Sequence, residues 1–399
     1  MKPKFYRKVL KNGMTVLLEK RDVPVVSIAF AVRCGGINES ASEKGISHFI
    51  EHMLYKGTKT RTAKQISEEV EKNGGVLNGF TEEVVTAFWC KMPSNKLKVA
   101  LEVLSDMVKN PLFDEAELAK ERKIIFEEMK MRKDDPKLYV GDRIQSCLYA
   151  PSLGLDLIGT QETMSSIDRE KLVKRFKKIY APNNMILCVV GNADFNKLVA
   201  FVEKNFGSEK GEAPKYPIKK INKSITETRK GLDQANLMFA FHAPLAKDER
   251  NYAAQILITL MAHGLSSRLF QEIREKRNLA YSIAGHTSIN KDYSYALVYV
   301  GTSKENVGQV KKLILEEFRK VSENLDEKEL NQVKEQLIGN YRISMEESAM
   351  HMAHLLLEEI NGTIGDFYDY EKKIKQVNLQ DVRKLAKLKN HSFFALVPE

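Results

Sequence analysis

Two short apolar runs open the chain. Met14 to Leu18 is the first. In the second, Val25 to Val32, the larger Val26, Ile28, Phe30 and Val32 alternate with smaller residues. Both predict strands, and the alternation places the larger side chains on one sheet face. Cys34-Gly35-Gly36 ends the pattern, and Gly45 to Tyr55 then reads as a helix whose apolar face also carries histidine. Thr62 is the expected N-cap of a second helix, with Ile66 and Val70 on one face and Asn73-Gly74-Gly75 as its stop. Strand character returns from Leu77 to Met92. A long helix starts at Asp114, with Glu117 three residues later as in a capping box, and runs past Glu128 towards Asp135-Pro136. Met185 to Val190 predicts a buried strand.

Residues 207–223 have no amphipathic period and hold two Pro and two Gly, so they read as a linker. Beyond them the chain begins again. Asp114 to Leu118 (DEAEL) is echoed 212 residues later by Asp326 to Leu330 (DEKEL). A strand, Pro93-Ser94-Asn95-Lys96 and a helix are echoed by Tyr293 to Val300, Gly301-Thr302-Ser303-Lys304 and a helix. This predicts an α+β protein of two homologous α/β-sandwich domains, each an antiparallel-rich sheet covered by helices. The expected division is a first domain at 1–206, the linker at 207–223 and a second domain at 224–399.

Composition narrows the classes. The 399 residues carry 43% hydrophobic and 29% charged side chains, enough apolar material for a core in each half. The 63 Lys and Arg against 53 Asp and Glu leave a net charge of +10, but no run of five basic residues reads as a nucleic-acid arm. The basic N-terminus is not followed by an apolar segment of signal length, and no run is long enough to span a bilayer. Cys34, Cys90, Cys147 and Cys188 form no CxxC pair, which excludes a cysteine-rich zinc site and suits free thiols in a reducing compartment. The expected location is the cytoplasm of a prokaryote, with no nucleic-acid or membrane partner.

The candidate chemistry lies in His48-Phe49-Ile50-Glu51-His52. On a helix, His48 and His52 stand at i and i+4, so both imidazoles share a face and reach one metal ion. Glu51 brings a carboxylate beside that ion without ligating it. A catalytic zinc needs a third protein ligand, and the long helix offers Glu121 and Glu128, two turns apart on the face that also holds Leu118 and Ile125. Carboxylates on an otherwise inward face need partners, and a metal with its histidines supplies them. In the second half, His351 and His354 form an i, i+3 pair among Met350, Met352 and Leu355, which reads as structural.

HxxEH is the inverted zinc motif of the inverzincins. From Gly35-Gly36 through Gly45 to Thr58, the sequence resembles the pitrilysin/insulinase family, in particular its branch of mitochondrial-processing-peptidase-like chains of about 400 residues. The resemblance implies a zinc endopeptidase acting on peptides or unfolded segments. It implies one zinc held by His48, His52 and Glu128, Glu51 as general base, and Glu121 orienting a ligand histidine. Asn78-Gly79-Phe80-Thr81 is similar to a family segment on a sheet edge that takes up substrate as an added strand; Gly79 stands where the family usually has Ala. Arg274 and Tyr281 match a pair that in the family reaches across to hold the substrate carbonyl near the zinc. At the 212-residue offset Glu128 becomes Asn340 and no second HxxEH occurs, so one zinc per chain is expected. A two-domain chain is half of the family's clamshell, which implies a homodimer around a substrate chamber. The alternative is a non-catalytic member serving as scaffold or partner subunit. Such chains generally lose part of the zinc set, whereas His48, Glu51, His52 and Glu128 all stand here.

Overall fold

The computed structural model describes residues 4–399. By contact these residues form two units, interleaved along the chain. The first comprises 4–130, 155–217 and 344–360; the second comprises 131–154, 218–343 and 361–399.

The first unit is built on a six-stranded mixed sheet. Its strands are β1 (Lys4–Val9), β2 (Thr15–Lys20), β3 (Val25–Val32), β4 (Val76–Thr81), β5 (Thr86–Pro93) and β6 (Met185–Gly191), ordered β1-β2-β6-β3-β5-β4. Only β2 and β6 run parallel; the other neighbours are antiparallel. The run from Leu77 to Met92, read as one stretch of strand, is a hairpin broken at 82–85. β4 pairs with β5 alone and so forms one edge.

On one face of this sheet lie α1 (Ile46–Leu54), α2 (Ala63–Glu71), α3 (Leu97–Lys109) and the start of α4 (Glu115–Asp134). Val26, Ile28, Phe30 and Val32 join Phe49, Ile50, Met53 and Leu104 in that core. The opposite face is buried as well. Ser27 meets Ser348 at 2.8 Å, and the Glu19 carboxylate lies 2.5 Å from His351 Nε2. Arg7 and Arg33 both donate to Glu359. The helix Ser348–Asn361 therefore covers the small-residue side of β3, and His351 is a fully buried structural partner of Glu19.

The second unit has a five-stranded sheet of β7 (Ser224–Arg229), β8 (Ala235–His242), β9 (Ala280–Ile289), β10 (Ser294–Thr302) and β11 (Ser392–Pro398), ordered β7-β11-β8-β10-β9. Only β7 and β11 run parallel. The helix Arg250–Ala262 packs on one face with Phe239, Val298 and Phe318 in its core. The helix Pro136–Leu148 packs against β8 and β11, with Ser392 donating to the Cys147 carbonyl at 2.9 Å.

Each unit thus takes one covering helix from the other half of the sequence. Those helices start at 136 and 348, and the helices before them at 115 and 327, the same 212-residue spacing in both cases. Residues 207–223 form no helix or strand. The four cysteines are buried and unbridged. No helix among the described residues is long and apolar enough to cross a membrane.

Candidate metal centre

α1 is fixed at its start by a buried carboxylate. Gly45 enters the helix at φ +91, a conformation that disfavours a side chain. Glu39 accepts hydrogen bonds from the Gly45 N–H at 2.9 Å and the Ser47 N–H at 2.7 Å. These N–H groups have no partner within the helix, and the anion also complements the positive end of the helix dipole. Burial pushes the Glu39 carboxyl above its usual range, and the buried Lys44 ammonium opposes that shift.

One turn in, the rings of His48 and His52 lie edge to face with centroids 4.6 Å apart. From α4, Glu128 brings Oε2 to 3.5 Å from His48 Nε2 and 3.7 Å from His52 Nε2. A tetrahedral ion with bonds of ~2.0–2.1 Å would separate its ligand atoms by ~3.3–3.5 Å, so this spacing fits one zinc. These three residues are the one His/Cys/Asp/Glu group of metal-holding geometry among the described residues. Glu127, next in sequence, points outward with its side chain 71% exposed and pairs with Lys130 at 2.6 Å.

A second layer orients the first. Glu121 is buried, with Oε2 at 3.1 Å from His52 Nδ1 and Oε1 at 2.7 Å from Lys56 Nζ. A carboxylate on Nδ1 fixes the proton there and leaves Nε2 as the electron-pair donor facing Glu128. Glu51 Oε2 accepts a hydrogen bond from Thr81 Oγ1 at 2.9 Å, linking α1 to β4. Burial raises the Glu51 carboxyl above its usual range, opposed by the Thr81 hydrogen bond and by His52. Gly79 lies beside the same carboxylate: a Cβ at that position would stand 3.2 Å from Glu51 Oε1. Asn78, Gly79 and Phe80 all lie in the edge strand.

Arg274 and Tyr281 belong to the second unit, where they meet each other. Arg274 donates to the Tyr281 carbonyl at 2.9 Å and stacks on Phe270 at 4.8 Å. The Tyr281 hydroxyl lies 3.4 Å from the Thr302 carbonyl, and the residue is 42% exposed.

The chain is similar to known proteins along most of its length. Residues 15–161 match the family described as Insulinase (Peptidase family M16), and residues 166–337 match one described as Peptidase M16 inactive domain. A protein of Rickettsia felis named an uncharacterized zinc protease is 35% identical, covering 88% of this chain and 86% of its own. The chain belongs to peptidase family M16. A Bacillus subtilis member, also named an uncharacterized zinc protease, is 32% identical over 96% of this chain and 94% of its own. The fold is that of a Helicobacter pylori protease, with a TM-score of 0.91, 21% identity and full coverage of both chains. A putative M16-like peptidase of Alicyclobacillus acidocaldarius matches with a TM-score of 0.86 and 17% identity, over 100% of this chain and 99% of its own. The segment that matches the inactive type, residues 166–337, contains no HxxEH.

Glu39 carries no individual signal in the sequence. Lys56 and Thr81 stand in segments that resemble the family, but nothing in those segments points to their partners, Glu121 and Glu51.

Proposed function

We propose that the protein is a zinc-dependent endopeptidase that hydrolyses peptides or unfolded segments bound in extended form. The observation that carries this reading is the convergence of His48 Nε2, His52 Nε2 and Glu128 Oε2, with Glu51 beside them on α1. These three residues would hold one zinc per chain. When bound, zinc supplies a Lewis acid and lowers the pKa of a water toward ~7.

The chain's own residues do the rest. Glu51 uses Oε1, the oxygen not engaged by Thr81, to take a proton from the attacking water and return it to the leaving amine. Glu121 and Lys56 hold His52 in the tautomer that presents Nε2. The open side of β4, at Asn78, Gly79 and Phe80, accepts the substrate as an added strand. Arg274 and Tyr281 are the donors proposed for the substrate carbonyl as it gains charge.

The family resemblance extends this reading to a homodimer enclosing a substrate chamber. The four buried, unbridged thiols suit a reducing, cytoplasmic compartment. A role as inert scaffold would not require the complete set His48, Glu51, His52 and Glu128.

Metal analysis of purified variants tests the ligand set. His48→Ala, His52→Ala and Glu128→Ala each lose zinc and peptide hydrolysis, while Glu127→Ala keeps both. Loss of zinc from Glu127→Ala but not from Glu128→Ala would overturn the assignment.

A further inference from the structure

Glu51 has two carboxylate oxygens, and the edge strand addresses both. Thr81 donates to Oε2. Beside Oε1 lies the empty space over Gly79, where a third group enters. Tyr55, the residue that closes α1, packs its ring against Phe88 with centroids 6.0 Å apart. Its hydroxyl is out of solvent reach and has no hydrogen-bond partner among the described residues. Such a donor is costly unless it serves a purpose. A Cβ at position 79 would overlap that hydroxyl, approach the Ala87 carbonyl at 2.9 Å and stand 3.2 Å from Glu51 Oε1. One absent methyl group therefore leaves room for the phenol oxygen next to the carboxylate. Burial, and then the charge of Glu51, keep the phenol protonated, so it is a neutral donor at working pH.

We propose that Tyr55 and Gly79 form a matched pair that positions the Glu51 carboxylate: the phenol fills the space over Gly79 and limits movement on the Oε1 side, while Thr81 holds Oε2 and Oε1 stays free to accept a proton. The inference rests on the reading of Glu51 as the base. Neither residue is a metal ligand. The pairing is steric and specific: a side chain at 79 and a hydroxyl at 55 exclude each other. If a Cβ is forced in at 79, the ring of Tyr55 and then the carboxylate must shift. Removal of the hydroxyl relieves the tightest of these contacts and leaves those with the Ala87 backbone carbonyl and Glu51 Oε1.

Three variants test this: Tyr55→Phe, Gly79→Ala and the double variant. The readouts are kcat and KM on an unfolded peptide, zinc content and thermal midpoint. Gly79→Ala lowers kcat about tenfold or more, because a displaced base loses alignment, while zinc stays at the wild-type level and KM changes little. Tyr55→Phe lowers kcat less. In the double variant Gly79→Ala costs clearly less than it does in the wild-type background, a coupling of the kind expected between touching groups. Losses that simply multiply in the double variant, or a Gly79→Ala effect confined to KM, would overturn the pairing. If the wild-type protein cleaved no peptide, the endopeptidase reading would fail and the thermal midpoint would judge the pairing by itself. A drop caused by Gly79→Ala in the wild-type background that is clearly smaller in the Tyr55→Phe background supports it; equal drops in both backgrounds overturn it.

Discussion

In the first unit, α1 meets the edge strand β4 at Gly79, and the groups that face this glycine are the Tyr55 hydroxyl and Glu51 Oε1. In the second unit, the helix Arg250–Ala262 meets the edge strand β9 at Gly285, and the groups that face it are Ile258 Cγ2, 2.7 Å from a notional Cβ, and Ala262 Cβ at 3.0 Å. Both glycines allow a helix to approach the outermost strand of a sheet. The contents of the two contacts are opposite. In one unit the contact is polar and holds a carboxylate beside the histidines; in the other it is apolar and continuous with a core of Leu257, Ile258 and Met261. The same supersecondary frame therefore carries polar groups beside the histidines in one unit and apolar packing in the other. Glu51 in the first contact needs a further polar partner, which Thr81 supplies, as Glu121 and Lys56 do for the neighbouring His52. The second contact needs only shape.

This contrast predicts how substitutions divide between the units. The largest effect falls on Glu51→Gln, which keeps its shape and its zinc but loses about 10²–10⁴-fold in kcat, read by peptide hydrolysis beside metal analysis. Ile258→Ala in the second unit lowers stability by about 2–5 kcal/mol in denaturant titration, by loss of buried methyl groups, and leaves zinc content unchanged. Loss of zinc from Ile258→Ala would break the comparison. Glu121→Gln weakens zinc retention about 10–100-fold in a chelator competition, since His52 loses the anion on Nδ1. Glu127→Ala, one residue from the metal cluster, changes stability by less than about 0.5 kcal/mol because its pair with Lys130 lies in solvent.

The parts of this arrangement that were legible in the sequence are those written in local period. The spacing of Leu118, Glu121, Ile125 and Glu128 marks one inward face of α4, and Leu118, Glu121 and Ile125 are indeed buried there. Asp114 accepts from the N–H groups of Ala116 and Glu117, as its position before the helix suggests. Thr62 caps α2 through Gln65.

What stayed hidden depends on distant pairing. The hairpin between β4 and β5 turns at Glu82 to Val85 without Gly or Pro, so nothing interrupts the strand-like pattern. The apolar faces of the helices Pro136–Leu148 and Ser348–Asn361 state that each covers a sheet, but not which one. A reading that keeps each helix beside its sequence neighbours is coarser than the interleaved units. The link from Thr81 to Glu51 spans thirty residues and two kinds of secondary structure, and no periodicity records it.

The most direct measurement follows peptide cleavage and zinc content in a single preparation, before chelation, after chelation and after zinc is restored. The account predicts one zinc per chain and cleavage of an unfolded peptide. It predicts loss of cleavage when the metal is removed and recovery when it returns. Cleavage that persists in metal-free protein, or a fully zinc-loaded protein that leaves every unfolded peptide intact, would contradict it.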